Sequence, residues 1–321
     1  MKRLAGRVGV ALALLWVVAT GTFFLLHALP GDAAAVYEDP RATPAARAHL
    51  REVYGLDRPL AEQYAKWLRA MASGEWGYSL ARHRSVASAL GDALPATLWL
   101  ALAALLLEFG VGLPLGLAAA THAGGRFDRA LRVVSLTLHA LPSFWLGIVA
   151  LLGLAFALPV FPPGGLRSID AASLPAPGRA LDLLAHLALP ALVLGLPAAA
   201  ATARLVRVGV LEVLGSEFVV AARARGLSNW RVAVRHALPA GLAPVLQAFG
   251  LSFAGLLSGA LAVEIVFAWP GIGRLAYESL LARDYPLLLA DTAITSMLVV
   301  AGSLLADMAH EALDPRVRSA A

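Results

Sequence analysis

Cysteine is absent from the 321 residues. That excludes disulfide frameworks, thiolate metal sites and a cysteine nucleophile, and leaves the redox compartment undetermined. Charge is scarce: 15% of residues are Asp, Glu, Lys or Arg, where a soluble domain carries roughly a quarter. A disordered chain and a nucleic-acid module are therefore excluded. Lysine occurs only as Lys2 and Lys66, preceded by Met1 and Ala65. A phosphate-binding loop G-x-x-x-x-G-K-[ST] needs Gly before its Lys, so the chain has no such ATP site, and another chain must bind any ATP involved. Enzyme signatures are missing too: the histidines never form H-E-x-x-H, and no G-x-S-x-G nucleophile turn occurs. A membrane-bound enzyme is thus the weakest functional class.

What is present is apolar. Hydrophobic residues make up 59% of the chain and the mean hydropathy is +0.73, values of a lipid-facing protein. The net charge is +5, but basic residues are spread from Lys2 to Arg318. Their placement matters more than their sum.

A spanning helix needs about 20 apolar residues, because each rises 1.5 Å through about 30 Å of hydrocarbon. Six stretches qualify: 8–29, 94–120 (interrupted by Glu108), a part of 133–166, 183–203, 239–263 and 286–308. Pro159, Pro162 and Pro163 mark where the third leaves the membrane. Open strands cannot cross lipid without unsatisfied backbone groups, and no alternating barrel pattern appears, so the expectation is an all-α protein with six transmembrane helices. The first stretch also resembles a secretory signal, with Lys2, Arg3 and Arg7 before an apolar run and Ala33 to Ala35 after it. Its length favours an uncleaved spanning helix.

Basic residues in the short loops set the orientation. With the N-terminus inside, the inner segments hold fourteen, among them Arg126, Arg129, Arg132, Arg204, Arg207, Arg223, Arg225, Arg231, Arg235, Arg316 and Arg318. The short outer loops hold four: Arg167, Arg179, Arg274 and Arg283. Both termini are expected to be cytoplasmic. The chain then divides into a first spanning helix (1–30), an extracytoplasmic region (31–93), a permease core (94–310) containing a loop at 212–239, and a cytoplasmic tail (311–321). In the outer region Leu60, Tyr64, Trp67, Leu68 and Met71 recur at helical spacing while Glu62, Lys66 and Arg69 take the other face. An amphipathic helix is expected there, either as a cap on the bundle or as a docking surface for an external partner.

The loop at 212–239 is the most informative. Ala221, Ala222 and Ala224 favour helix, Gly226 is a natural stop, and Ser228 can N-cap a second helix. A short arginine-studded helix results, with Phe218, Val219 and Ala222 on one side. It is either a positive-inside loop on lipid headgroups or a contact surface.

Here the sequence resembles the membrane subunits of bacterial ATP-driven importers. Ala221-Ala222, Gly226 and Leu238-Pro239 look like their E-A-A-x-x-x-G-x(9)-I-x-L-P loop, although Val220 stands in place of Glu and His236 in place of Ile. The run from Ala222 through Arg223 and Arg225 to Gly226 is similar to the variant in peptide-type (dipeptide and oligopeptide) permeases. Leu29-Pro-Gly-Asp32, Gly55-Leu-Asp-Arg-Pro-Leu60, Gln63-Tyr64, Trp67 and Gly77-Tyr-Ser79 resemble the first outer loop of the B-type permease. Leu141-Pro-Ser-Phe-Trp145, Trp269-Pro-Gly-Ile-Gly-Arg274, Arg283-Asp-Tyr-Pro286 and Leu313-Asp-Pro-Arg-Val-Arg318 resemble its later signatures. The resemblance covers essentially the whole chain. It implies a bacterial-type inner-membrane location and a coupling helix docked in an ATPase groove. The loop residues it assigns to that role are Glu217, Val220, Ala221, Ala222, Arg223, Arg225, Gly226, Leu238 and Pro239. The implied partners are a second, related permease chain, two ATP-binding subunits that hold ATP and Mg, and an extracytoplasmic solute-binding protein. No cofactor is expected in this chain. Peptides are the leading cargo, with nickel, glutathione and sugars carried by related systems.

Acidic residues at bilayer depth mark a possible translocation path. Glu108 lies mid-span; it either meets a cationic group of a substrate, pairs with His139, or stays protonated against a neighbouring helix. Asp291, Thr292, Thr295 and Ser296 form a polar face that either lines a cavity or bonds helix to helix. Pro114, Pro142, Pro197 and Pro244 suggest kinks, and Gly110, Gly112 and Gly116 suggest close helix contacts. The runner-up to the importer reading is an ion-coupled secondary transporter using Glu108 or Asp291.

Overall fold

The computed structural model of the chain describes residues 2–28, 58–79 and 81–313. The Leu29-Pro-Gly-Asp32 motif, Ala33 to Ala35, the start of the Gly55 motif, and Arg316 and Arg318 of the tail lie outside the described residues. The chain is mostly helical: α1 (Lys2–Ala28), α2 (Leu60–Ser73), a small hairpin of β1 (Tyr78–Ser79) and β2 (Arg84–Ser85), α3 (Val86–Thr121), α4 (Arg126–Ala140), and α5 (Ser143–Ala150), which continues as a wider π-type turn (Leu151–Ala157). There follow α6 (Ala176–Leu214), α7 (Glu217–Ala224), α8 (Asn229–Val232), α9 (Leu238–Gly241), α10 (Ala243–Val266), α11 (Ile272–Leu281) and α12 (Tyr285–Leu313).

Among the described residues, four helical segments are long and apolar enough to cross a membrane: Gly9–Ala28, Val86–Thr121, Ala176–Leu214 and Tyr285–Leu305. The α4–α5 pair makes a fifth if it counts as one span. This is where the third expected helix differs. Instead of one helix within 133–166, the chain bends by 103° between α4 and α5. Pro142 supplies no N–H and forces Leu141 before it into extended backbone (φ −87°, ψ 133°). The stretch expected at 239–263 falls on α10, a 24-residue helix.

The described residues form two compact units, 1–96 with 271–300 and 97–270 with 301–321. In the first, the amphipathic stripe of α2 is packed. Tyr64 and Trp67 sit against Phe23 and Leu26 of α1 and Tyr285, Leu288 and Leu289 of α12, and Tyr64 shares a hydroxyl hydrogen bond of 2.7 Å with Thr20. Met71 and Trp76 pack on Val86, Leu90, Ile272 and Leu287. The apolar stripe of the expected amphipathic helix therefore packs within its own unit.

In the second unit, small residues let helices approach. A Cβ on Gly116 would lie 2.5 Å from the Ala203 carbonyl oxygen, and one on Gly112 would lie 2.8 Å from that of Ala199. Gly195 is closed off in the same way by Leu107, and Gly209 meets Gly241 backbone to backbone. α3 and α9 are thereby seated on α6. Gly110, by contrast, faces open space. Pro197 lies inside α6 beside Pro190, whereas Pro244 occupies the first turn of α10, where its missing N–H costs nothing.

Candidate functional site

The 212–239 loop folds as expected from its local chemistry. Ser216 is extended (φ −78°, ψ 153°) before α7, and Glu217 puts a carboxylate in the first turn, at the positive end of the helix dipole. Val219 and Ala222, three residues apart, face inward. They join Val232 of α8 in a cluster with Val213 and Leu214 at the end of α6 and with Leu227. Gly226 stops the helix at φ +83°, its N–H bonding the Arg223 carbonyl at 2.9 Å. A Cβ there would meet nothing within 4 Å, so the left-handed backbone, not crowding, requires glycine. Ser228 accepts the Arg231 N–H at 3.4 Å as the N-cap of α8.

The other face of the loop is uncovered. Phe218 does not share the buried side with Val219 and Ala222: it is 49% exposed, Val220 59% and Trp230 65%. At about 100° per residue, the position beside Val219 is carried off so narrow a stripe. Ala221, Arg223, Arg225 and Arg231 are exposed as well, and Arg225 bonds back to the Ala221 carbonyl. Leu238 packs under the loop beside Ala233, Ala237 and Val210, and Pro239 is exposed in the first turn of α9.

Glu108 is buried, and its partners are Thr202 of α6 and Ser252 of α10, which donate to the same oxygen Oε1 at 2.7 and 2.8 Å. Oε2 has no hydrogen-bond partner among the described residues. His139 is exposed on α4. Glu108 thus ties three helices of one unit. Asp291 is buried on α12. Of its polar neighbours, Thr292 and Ser296 bond back to carbonyls of their own helix, Leu288 at 2.8 Å and Thr292 at 2.7 Å. Thr295 is half-buried.

Three arrangements escaped the sequence reading. Asp128, fully buried, accepts both ends of the Arg207 guanidinium and the Gly124 N–H at 2.9 Å, with Arg132 at 3.7 Å. The Arg207 hydrogen bond, with the Gly124 N–H, holds the Asp128 carboxyl down to about 2. An acid among the arginines at 126, 129 and 132 was the only sequence signal. Second, Thr97 of α3 donates to buried Glu264 of α10 at 2.5 Å, just past the apolar run. Third, Ser79 of the hairpin donates to Asp284 at 2.5 Å, both buried, and Glu278 receives Arg82 on one oxygen and Arg274 on the other at 2.7 Å. This joins the Gly77, Trp269 and Arg283 motifs of distant segments.

Residues 112–319 match the family described as binding-protein-dependent transport system inner membrane component, and residues 1–101 match the N-terminal family of such transport-system membrane components. The oligopeptide transport system permease protein AppB of Bacillus subtilis (strain 168) is 35% identical over 297 residues, 92% of each chain. The di/tripeptide transport system permease protein DppB of Pseudomonas aeruginosa (strain UCBPP-PA14) is 35% identical over 98% of each chain. The glutathione transport system permease protein GsiC of Salmonella paratyphi A is 32% identical over 99% of this chain and 98% of its own. In fold, the chain is similar to the inward-facing MetNI methionine ABC transporter. The TM-score is 0.57 at 18% identity, over 70% of this chain and 96% of that one.

Proposed function

The chain belongs to the binding-protein-dependent transport system inner membrane component family, and from that premise we propose that it is the B-type permease subunit of a peptide-type ABC importer. Its cargo is short peptides or similar small solutes handed over by an extracytoplasmic binding protein. The oligopeptide, di/tripeptide and glutathione permeases among its relatives support that class. It works with a second, related permease chain and with two ATP-binding subunits that hold ATP and Mg. Six spans cross the inner membrane, formed by α1, α3, α5 with its π turn, α6, α10 and α12, and both termini are cytoplasmic. The fourteen-to-four bias of basic residues supports that orientation. The reach of α10, whose 24 residues extend about 36 Å at 1.5 Å each, supports its counting as a span.

One observation carries the coupling role. A loop clamped to the end of α6 by Val219, Ala222 and Val232 presents Phe218, Val220, Trp230 and three arginines to solvent. Exposed aromatic and arginine side chains on a firm base are what a protein contact uses. A chain with no ATP-binding loop responds to hydrolysis only through mechanical contact. Here the contact bears on α6, against which Gly112, Gly116 and Gly241 are close-packed. A push on α7 and α8 is then passed to α6 rather than absorbed.

Reconstitution tests this. The complete complex in proteoliposomes, with binding protein and labelled peptide outside and ATP inside, is expected to accumulate peptide only when ATP is hydrolysed. Uptake by this chain alone, driven by an ion gradient without any ATPase, would overturn the proposal in favour of an ion-coupled transporter.

A further inference from the structure

Two turns of the first unit hold non-glycine residues in left-handed backbone: His83 in the β1–β2 turn at φ +52° and Arg283 between α11 and α12 at φ +51°. A Cβ disfavours that conformation, so the surroundings must impose it. They do so by stapling the turns together. Ser79 donates to Asp284 at 2.5 Å. Asp284 also accepts the Leu287 N–H at 3.3 Å, capping α12. Arg82 and Arg274 grip the two oxygens of Glu278.

Between the turns lies a cavity of about 310 Å³ walled by Ala81, Arg82, Glu278, Ala282 and Asp284. Glu278 is held by Arg82 and Arg274, and Asp284 by Ser79 and the Leu287 N–H. Arg283 is exposed and makes no ion pair among the described residues, so its positive charge faces outward. Tyr78 and Tyr277, 42% and 41% exposed, stand on the same elements.

We infer that these two stapled turns are the seat of the extracytoplasmic binding protein, with Arg283 receiving a carboxylate from an acidic patch of that protein. The inference rests on the importer reading, which puts β1, β2, α11 and the α11–α12 turn on the outer side. Exposed tyrosine and arginine around a cavity of fixed shape suit a protein surface, whereas a fluid headgroup layer needs no stapled, strained turns. The unpaired cation sets the sign of its partner and makes docking sensitive to salt.

The test uses the complete importer in nanodiscs and measures its dissociation constant for the binding protein. Arg283→Asn is expected to weaken binding about tenfold in low salt, and Arg283→Lys to stay within about twofold of wild type. Wild-type binding is expected to weaken as salt is raised. Asn tolerates left-handed backbone better than Arg does, so the loss is not one of folding. Wild-type affinity in Arg283→Asn, or affinity indifferent to salt, overturns the docking role. A loss seen only in discs containing phosphatidylglycerol, and not in phosphatidylcholine, assigns Arg283 to lipid and also overturns it. So does loss of the second permease chain on purification. Failure of the wild-type importer to bind any binding protein overturns the importer reading itself.

Discussion

The 212–239 loop and the stapled turns are both short surface segments that stop a helix or strand with a left-handed residue, yet they are held in opposite ways. The loop is anchored by apolar side chains, Val219, Ala222 and Val232, with one long cap bond at Ser228. Its left-handed residue is a glycine, Gly226, which adopts that backbone without penalty. The turns are anchored by polar contacts between residues some 200 apart, such as Ser79 with Asp284 and Arg82 with Glu278. Their left-handed residues are His83 and Arg283, held there by those contacts. An apolar anchor frees polar and aromatic groups to face a partner. A polar staple consumes its own charges and leaves only the excess, here Arg283, on offer.

The comparison is broken most severely at Gly226. Gly226→Asp puts a Cβ at φ +83°, which favours glycine even over Asp, and adds a negative charge beside Arg223 and Arg225. ATP-driven uptake is expected to vanish while the chain remains in the membrane with its partners in the usual ratio. Normal uptake by such a complex would remove the coupling role. Next comes the exposed face. Trp230→Ala removes the most exposed aromatic of the loop and is expected to weaken retention of the ATP-binding subunits about tenfold or more. The melting of the purified permease chain should be left nearly unchanged, because Trp230 is 65% exposed.

Smaller effects sharpen the contrast between the two kinds of anchor. Ser79→Ala leaves buried Asp284 short of a donor and should cost about 1–3 kcal/mol of stability. Ser228→Ala gives up only an exposed cap and should cost about 0.5–1 kcal/mol. Thermal unfolding of both variants in one detergent gives the order, and a larger loss at Ser228 would reverse the assignment of anchors. The smallest effect is expected at Glu108→Gln, where the amide oxygen still accepts from Thr202 and Ser252. Peptide affinity and uptake rate should stay within about twofold of wild type, as should those of Asp291→Asn. A tenfold change in either would return that residue to the translocation path.

Much of this was legible along the chain, because it depends on neighbours in sequence. Apolar runs long enough to span, the stop at Gly226, the cap at Ser228 and the close approach at Gly112 and Gly116 all follow from hydropathy, backbone freedom and side-chain size. Pro142 likewise announced a break, but not that it would amount to 103°, since a proline removes a hydrogen bond without choosing a direction. Phe218 was misplaced by one position on the helix surface. A three-residue apolar run does not say which two members the neighbouring segments will cover.

By itself the sequence determined the helical membrane class, the lack of a G-x-x-x-x-G-K-[ST] motif and the local chemistry of the 212–239 loop, all written in local composition and spacing. Only the tertiary structure decided where the lone charges go. Asp128 meets Arg207 from 79 residues away and Ser79 meets Asp284 from 205, while Glu108 turns to Thr202 and Ser252 instead of His139. A buried charge must find a partner, but which one it finds depends on which distant segments packing has already brought within about 3 Å of it.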